Sequence, residues 1–154
     1  MQLERIIEIT EELWKAFQRL TPQLTSNNPA PSREDLADLI KSESSILLVA
    51  RNPSLSETIV GAACLTVYRV PTGIRSIIED VIVDESARGQ GIGEELVRQL
   101  LDIAREKGAK GVSLTSNPKR EAANRLYQRI GFRRRETNSY YYSFLEVRPG
   151  KELK

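Results

Sequence analysis

The chain contains no histidine, and it has one cysteine and one tryptophan among its 154 residues. Without histidine a Ser-His-Asp triad is impossible, and the commonest general base and the commonest metal ligand are missing as well. The single Cys64 excludes an intrachain disulfide, and its neighbours Ala62, Ala63 and Leu65 favour buried packing over a role as nucleophile. The sequence predicts no metal site.

The sequence also lacks a long apolar run and a strong excess of charge of one sign. No stretch approaches the roughly 18 apolar residues of a membrane-spanning helix, and no charged-then-apolar leader begins the chain. We therefore expect a cytoplasmic protein without a membrane partner. The net charge is +2, and the basic run Arg133-Arg134-Arg135 is interpreted as the solvated end of a strand or loop. No nucleic-acid partner is expected.

Hydrophobic periodicity predicts a mixed α/β fold in the order β-α-α-β-β-β-α-β-α-β-β, with helices on both faces of a mixed sheet. Thr10 is the predicted N-cap of the first helix and Pro22 its predicted end, and Ser32 opens the second helix with a capping box. A single domain over residues 1–148 is expected, followed by a disordered tail at 149–154. The predicted strands are 3–9, 46–51, 58–70, 74–83, 112–114, 132–136 and 139–147, and the last two helices lie between Gly93 and Gly108 and from Glu121 to Ile130.

A glycine-rich segment follows the predicted fourth strand and opens the third helix. The start of a helix leaves about four N–H groups without intrahelical partners and carries roughly half a positive charge, so it attracts anions. Glycines let this backbone approach a phosphate closely, and an arginine adds charge. The spacing is not G-x-G-x-x-G and no G-K-[ST] follows, which argues against a dehydrogenase or nucleotidase. The predicted diphosphate loop consists of Arg88, Gly89, Gln90, Gly91, Ile92 and Gly93.

Three ordered features resemble the GNAT family of N-acetyltransferases. The first is the R-x-x-G-x-G loop after the strand ending in Val81-Ile82-Val83-Asp84, and the second is the amphipathic helix and short strand that follow. The third is Asn124-Arg125-Leu126-Tyr127 followed by Gly131-Phe132. The resemblance covers the chain from about Leu3 to Leu145. It implies a GNAT-like fold with splayed fourth and fifth strands, and an enzyme that transfers an acetyl group from acetyl-coenzyme A (acetyl-CoA) to an amine.

The resemblance also implies which residues bind acetyl-CoA. The N–H groups of Arg88 through Gly93 would hold the pyrophosphate, and the backbone of Val81, Ile82 and Val83 would pair with the pantetheine arm as an added strand. Asn124 matches the asparagine that hydrogen-bonds the arm near the thioester. Asn117 is a second candidate, although Asn-Pro after a strand is also an ordinary turn.

Tyr127 matches the tyrosine that faces the sulfur in many family members and serves as general acid. An unperturbed tyrosine with a pKa of ~10 is a weaker acid than a thiol with a pKa of ~8.5, so full proton transfer is uphill. A hydrogen bond to the developing thiolate is the safer interpretation. A core aromatic of an amphipathic helix is the alternative.

The general base is assigned to Glu79, with Asp80 or a water chain as alternatives. Strand alternation predicts that Glu79 shares its side-chain parity with Val81 and Val83. Many family members carry a glutamate two residues earlier, where this chain has Ile77, so the usual base cannot be carried over. A solvated or structural Glu79 is equally compatible with the sequence.

The acceptor is expected to be the amine of a small molecule, a peptide or a protein. The triplet Ile78-Glu79-Asp80 resembles the glucosamine-6-phosphate acetyltransferase branch, which hints at a small or sugar-like amine. Trp14, Phe17, residues 25–31 and the run Tyr140-Tyr141-Tyr142 could line the acceptor site, or could pack in the core or at a homodimer edge. A non-catalytic acyl-CoA sensor and an anion-binding or nucleic-acid accessory protein are the competing functions.

Overall fold

The computed structural model describes residues 1–55 and 58–145. These residues fall into two compact units, one from Met1 to Thr115 and a second that begins at Ser116. The single domain over residues 1–148 stays a prediction, and the tail predicted at 149–154 lies outside the described residues.

The first unit is built on a four-stranded antiparallel sheet. Its strands follow one another in the order β1-β2-β3-β4, so each strand pairs with the one before it in the chain. The strands are β1 (Gln2–Arg5), β2 (Ser45–Arg51), β3 (Ile59–Val70) and β4 (Gly73–Val83), and the helices are α1 (Glu11–Leu24), α2 (Arg33–Lys41) and α3 (Ile92–Glu106), with a 3-10 turn at Glu85–Ala87.

The sheet buries both of its faces. One face packs against α1 and α2 in a core that contains Leu20, Leu36, Val49 and Ile82. The other face carries α3, because a Cβ built on Gly61 of β3 would lie only 3.2 to 3.3 Å from side-chain carbons at the start of that helix. Glycine at this position lets the first turn of α3 approach the sheet closely. The predicted placement of helices on both faces is confirmed.

Side-chain caps begin the first two helices as predicted. Thr10 Oγ1 accepts from the Leu13 N–H at 3.1 Å. Ser32 Oγ accepts from the Asp35 N–H at 3.0 Å while Asp35 Oδ2 accepts from the Ser32 N–H at 2.9 Å, which is a complete capping box. Pro22 does not end α1, which continues to Leu24. In the last turn of a helix a proline removes only one of the final hydrogen bonds, so that prediction was wrong.

The predicted fifth strand is reduced to one parallel bridge between Ser113 and Ile77 of β4. The Ile78 N–H donates to Ser113 O at 2.9 Å, and the Ser113 N–H donates to Ser76 O at 3.0 Å. Within the described part of the first unit, no further bridge joins this segment to β4, so the ladder between the two does not continue past Ile78. This arrangement agrees with the predicted splay.

The described part of the second unit contains one helix, α4 (Glu121–Ile130), with the predicted bounds. Gly131, at φ 120°, ends the helix, and its N–H donates to Tyr127 O and Gln128 O. The strands predicted at 132–136 and 139–147 are not formed in residues 132–145, and the rest of the second lies outside the described residues. A strand requires a hydrogen-bonded neighbour, and the described residues of this unit contain no other strand. The α/β fold class itself is confirmed.

Candidate active site

A β-bulge interrupts β4 near its carboxyl end. Cys64 of β3 lies opposite Glu79, but Ala62, two residues before Cys64, lies opposite Ile82. β4 therefore has one residue more than β3 between these two pairs. Asp80 lies within this stretch at φ 52°, the left-handed region that a non-glycine residue seldom adopts.

The bulge changes which side chains share a face. Because Cys64 and Ala62 face the same side of β3, their partners Glu79 and Ile82 also share a side, and Ile82 belongs to the core beneath α1 and α2. The predicted parity of Glu79 with Val83 was wrong, since simple alternation assumes an unbroken strand. The Glu79 carboxylate lies on the α1 and α2 face of the sheet and is exposed at its surface.

Burial and a neighbouring charge raise the pKa values of two side chains beside the bulge, Glu79 and Cys64. Partial burial raises the pKa of the Glu79 carboxyl, and the neighbouring Asp80 charge raises it further, so Glu79 is a better proton acceptor than an ordinary carboxylate. Burial, with a contribution from Asp80, raises the pKa of the Cys64 thiol to about 11. Cys64 is therefore protonated near neutral pH, as expected for a packing residue and not for a nucleophile.

The glycine loop has the backbone geometry of an anion cradle. Gly89 and Gly91 have φ values of 77° and 80°, and a Cβ at either position would meet no atom within 4 Å. Gly91 is the N-cap of α3, and its carbonyl accepts from the Glu95 N–H at 3.1 Å. Among the residues that the structure describes, no backbone carbonyl accepts from the N–H groups of Gly89 through Gly93. Gly89, Gln90 and Gly91 are exposed, so this part of the loop is accessible to an anion such as a diphosphate.

Arg88 is exposed at the start of this loop and contacts the end of β4. Its Nε donates to Val83 O at 3.1 Å, which places the guanidinium beside the loop. Ile82 is buried and pairs with Ala62 in the ladder, so Val81, Ile82 and Val83 are not equally available to a ligand.

The second unit brings Asn117 and Asn124 together. Asn124 Nδ2 donates to Asn117 O at 3.0 Å, and Asn117 Oδ1 accepts from the Lys119 N–H at 2.9 Å. The Asn117 side chain thus stabilises an Asx turn, the ordinary alternative to a ligand contact. Asn124 is therefore a stronger candidate for a ligand contact than Asn117, because the amide oxygen of Asn124 accepts from no donor in the described residues.

Tyr127 is the buried aromatic of α4, with 6% of its surface exposed. Its ring packs edge-on against Phe132, with centroids 5.9 Å apart. Burial raises the pKa of the Tyr127 phenol, and the Arg120 charge offsets only part of that rise. A raised pKa makes proton release harder, which favours a hydrogen-bond donor over a full general acid.

Two polar side chains of the first unit and one of the second were not indicated by the sequence. Arg19 and Asp84 form an ion pair at 2.9 Å that joins α1 to the end of β4. Ser116 Oγ is buried and has no hydrogen-bond partner among the described residues. A composition or periodicity signal could not reveal these contacts, because each depends on atoms brought together by the fold.

The described residues contain no cluster of three or more cysteine or carboxylate side chains able to hold a metal ion. No helix in residues 1–55 and 58–145 is long and apolar enough to cross a bilayer.

Comparison with known proteins defines the class to which this fold and loop belong. The model of the acetyltransferase (GNAT) family matches residues 6–132. The chain therefore belongs to the GNAT acetyltransferase family, and the resemblance seen in the sequence is confirmed.

Individual relatives share this family and fold. A probable glucosamine 6-phosphate N-acetyltransferase of rice (Oryza sativa) is 37% identical over 115 residues, covering 72% of this chain and 66% of the relative. The glucosamine 6-phosphate N-acetyltransferase of Trypanosoma brucei is 41% identical over 81 residues, which is 51% of this chain and 53% of that protein. The chain thus aligns with about half to two-thirds of these relatives' length. A crystal structure of a Trypanosoma brucei acetyltransferase superposes with a TM-score of 0.71 at 30% identity, covering 92% of this chain and all of the other.

Proposed function

We propose that this protein is an N-acetyltransferase that moves an acetyl group from acetyl-CoA to a primary amine by direct attack on the thioester. The observation that carries the proposal is the exposed glycine loop at the start of α3, which the 3-10 turn Glu85–Ala87 joins to the end of β4. The loop matches what the diphosphate of coenzyme A requires, and the end of β4 offers backbone groups to the amide-containing arm. Membership of the GNAT family supports the same chemistry.

Each part of acetyl-CoA has a proposed set of partners. The diphosphate accepts hydrogen bonds from the N–H groups between Arg88 and Gly93, next to the positive end of α3. The pantetheine amides pair with backbone groups of the segment Val81-Ile82-Val83 that β3 does not use, and Asn124 binds the arm near the thioester, with Asn117 contributing through its turn. A backbone donor on β4 would polarise the acetyl carbonyl, and losing such a donor typically costs about 10²–10³ in rate.

Glu79 is the proposed general base. An alkylammonium with a pKa near ~10.4 leaves only about one free amine in 2,500 at pH 7, so removal of a proton limits attack. The raised pKa of Glu79 brings it closer to that of the ammonium, and the exposed carboxylate is open to a substrate or to a bridging water. Asp80 has less favourable geometry, because it is the residue with the left-handed backbone at the bulge.

The bonds and protons of the reaction balance without a covalent enzyme intermediate. The ammonium gives one proton to Glu79, and the free amine nitrogen then forms a bond to the acetyl carbon as the carbon–sulfur bond breaks to release the coenzyme A thiolate. Tyr127 donates a hydrogen bond to that sulfur, and the thiolate takes up the second proton that the nitrogen loses as the amide forms, leaving as thiol. The protonated, half-buried Cys64 agrees with direct transfer.

We propose an amino sugar phosphate as the first acceptor to test. The two curated relatives described above are named for acetylation of glucosamine 6-phosphate. The released-thiol assay with acetyl-CoA should detect turnover with glucosamine 6-phosphate, and a panel of amines, polyamines, aminoglycosides and peptides would define the acceptor class. Tight acetyl-CoA binding with no thiol release across the panel would contradict the enzyme and support a sensor.

Replacing Glu79 with glutamine should change both the rate and its pH dependence. In the wild type, kcat/KM rises as Glu79 loses its proton, with a midpoint above the ordinary carboxyl pKa because of the upward shift, and then levels off. The Glu79→Gln variant reacts only with amine that is already deprotonated, so its kcat/KM should rise about tenfold per pH unit up to the amine pKa. At pH 7 we expect a loss of about 10²–10⁴.

The control for this prediction is Asp80→Asn, which removes the neighbouring carboxylate and leaves the proposed base. Its pH profile should keep the wild-type plateau, with the midpoint moved down because the like charge is gone. The assignment to Glu79 fails if Glu79→Gln retains the wild-type profile or if Asp80→Asn alone removes the plateau.

A homodimer in the cytoplasm is the proposed state of the protein. Aromatic residues at alternate positions near the C-terminus would share one face of a strand, as in a half-buried strand. In the structure these residues, Tyr140, Tyr142 and Phe144, are 82 to 96% exposed. A second copy covering this segment would bury these rings. Light scattering should give twice the monomer mass, and the Tyr142→Ser, Phe144→Ser double variant should lower it; a monomeric wild type would rule this out.

A further inference from the structure

Arg19, Asp84 and Ser86 form a connected cluster immediately before the glycine loop. Asp84 follows the last residue of β4 and is the N-cap of the 3-10 turn that leads to Arg88. Its Oδ2 accepts from Arg19 Nε at 2.9 Å, and its Oδ1 accepts from the Ser86 N–H at 3.0 Å and from Ser86 Oγ at 2.8 Å. Asp84 is 7% exposed, so both carboxylate oxygens are used inside the protein.

The backbone of Asp84 is held as firmly as its side chain. Its N–H donates to Val60 O of β3 at 2.9 Å, and its carbonyl accepts from the Ala87 N–H at 2.9 Å. Ala87 is fully buried. The turn therefore has a defined conformation up to the residue before Arg88, where the exposed loop begins.

α1 supplies the other side of this cluster. Arg19 donates to Ile59 O as well as to Asp84, and Gln23, one helical turn later, accepts the Glu85 N–H at 2.8 Å. Two side chains on one face of α1 thus contact two consecutive residues of the turn. Burial alone would raise the pKa of the Asp84 carboxyl, but hydrogen bonds from Arg19 and Ser86 lower it to about 2, so the ion pair is present at neutral pH.

The glycine loop itself has few contacts of its own. Gly89, Gln90 and Gly91 are exposed, and space is open around the Cβ positions of both glycines. Residues with such freedom lose much conformational entropy when they are ordered around a ligand. The direction in which the loop leaves the sheet is set by the turn before it and by α3 after it.

We propose that Arg19 and Asp84 are positioning residues for the coenzyme A diphosphate, acting through the 3-10 turn to orient the N–H groups of the glycine loop. They do not contact the ligand. This inference rests on the proposed function, because it concerns the affinity of the loop for that ligand. It adds a role for α1, which the sequence analysis placed only in the core and the acceptor site.

The test measures the dissociation constant of coenzyme A by calorimetry for Arg19→Met, Asp84→Asn and the double variant. Without this contact the loop must be ordered when the ligand binds, so each single variant should bind roughly tenfold more weakly. Because both changes break the same contact, the double variant should be no more than about twofold worse than the singles. Arg19→Lys keeps the charge beside Asp84 and should recover part of the loss.

Arg51→Met is the matched control. Arg51 is also a partly buried arginine that pairs with two carboxylates, Glu4 and Glu12, but it lies on β2 outside the cluster. This variant should lower the melting temperature and leave the dissociation constant unchanged. Unchanged binding in both Arg19→Met and Asp84→Asn, or an equal loss in Arg51→Met, would overturn the positioning role. Failure of the wild type to bind coenzyme A would instead overturn the proposed function.

Discussion

Replacing Gly91 with glutamate is expected to abolish measurable binding of acetyl-CoA. Gly91 is the N-cap of α3 at φ 80°, where an L side chain costs roughly 1–2 kcal/mol. No atom lies within 4 Å of a Cβ there, so the side chain fits without a clash and projects into the space proposed for the diphosphate. Its carboxylate would compete for the same N–H groups and repel the phosphates. Calorimetric titration with acetyl-CoA measures the loss.

Gly73→Glu is the matched control for this prediction. Gly73 also has a positive φ, 131°, and open space around its Cβ, but it lies in the turn between β3 and β4. Both variants add the same charge at a glycine with positive φ, so both should lose stability on thermal unfolding. Only the Gly91 change should lose the ligand. If Gly91→Glu binds acetyl-CoA as well as Gly73→Glu does, the loop does not hold the diphosphate.

Replacing Tyr127 with phenylalanine is expected to lower kcat by about 10²–10³-fold without changing the affinity for acetyl-CoA, as removal of a single hydrogen-bond donor to a developing anion does. The aromatic ring and its edge-on packing against Phe132 are kept, so the fold should be unaffected. The hydroxyl is lost, and with it the proposed hydrogen bond to the leaving sulfur. Steady-state rates of thiol release, with affinity measured separately, separate these two effects.

The mechanism also predicts how Tyr127→Phe responds to pH. Because burial raises the pKa of the Tyr127 phenol, the hydroxyl keeps its proton throughout the neutral range, and the loss should be nearly constant between pH 6 and 9. Tyr142→Phe, which removes a hydroxyl from an 82% exposed ring, is the control and should be neutral. Unchanged thiol release in Tyr127→Phe would show that Tyr127 contributes only packing.

Local signals explain why so much of the first unit could be predicted from the sequence. Some features depend only on residues three or four apart, and these appear in the structure as expected. They are the helix caps at Thr10 and Ser32 and the buried apolar face of α3. Pro22 was misjudged because the effect of a proline depends on how many hydrogen bonds remain after it, and α1 ends only two residues later. The strands predicted in residues 132–145 are absent for a different reason: alternation of apolar and polar residues predicts a strand but does not show which other strand would pair with it.

The candidate site likewise contains features that have a local signal in the sequence and features that have none. The glycine loop was evident because its function depends on six consecutive residues. The bulge at Asp80 was not, because it appears only when β4 is aligned with β3, and it places Glu79 on the side opposite Val83, with which it was expected to share a side. Arg19 and Asp84 are 65 residues apart, so nothing local to either residue indicates the pair.

The most direct test of the central claim compares the binding of coenzyme A with that of pantetheine, which lacks the diphosphate and the nucleotide. Titrations of wild type, Gly91→Glu and Gly73→Glu with both ligands should be run at two salt concentrations. The loop geometry predicts that coenzyme A binds at least about 100-fold more tightly to the wild type, the scale of two charge-assisted hydrogen bonds. It also predicts that Gly91→Glu removes this difference and that Gly73→Glu keeps it. Equal affinity of the wild type for the two ligands would contradict the assignment of the loop as a diphosphate site.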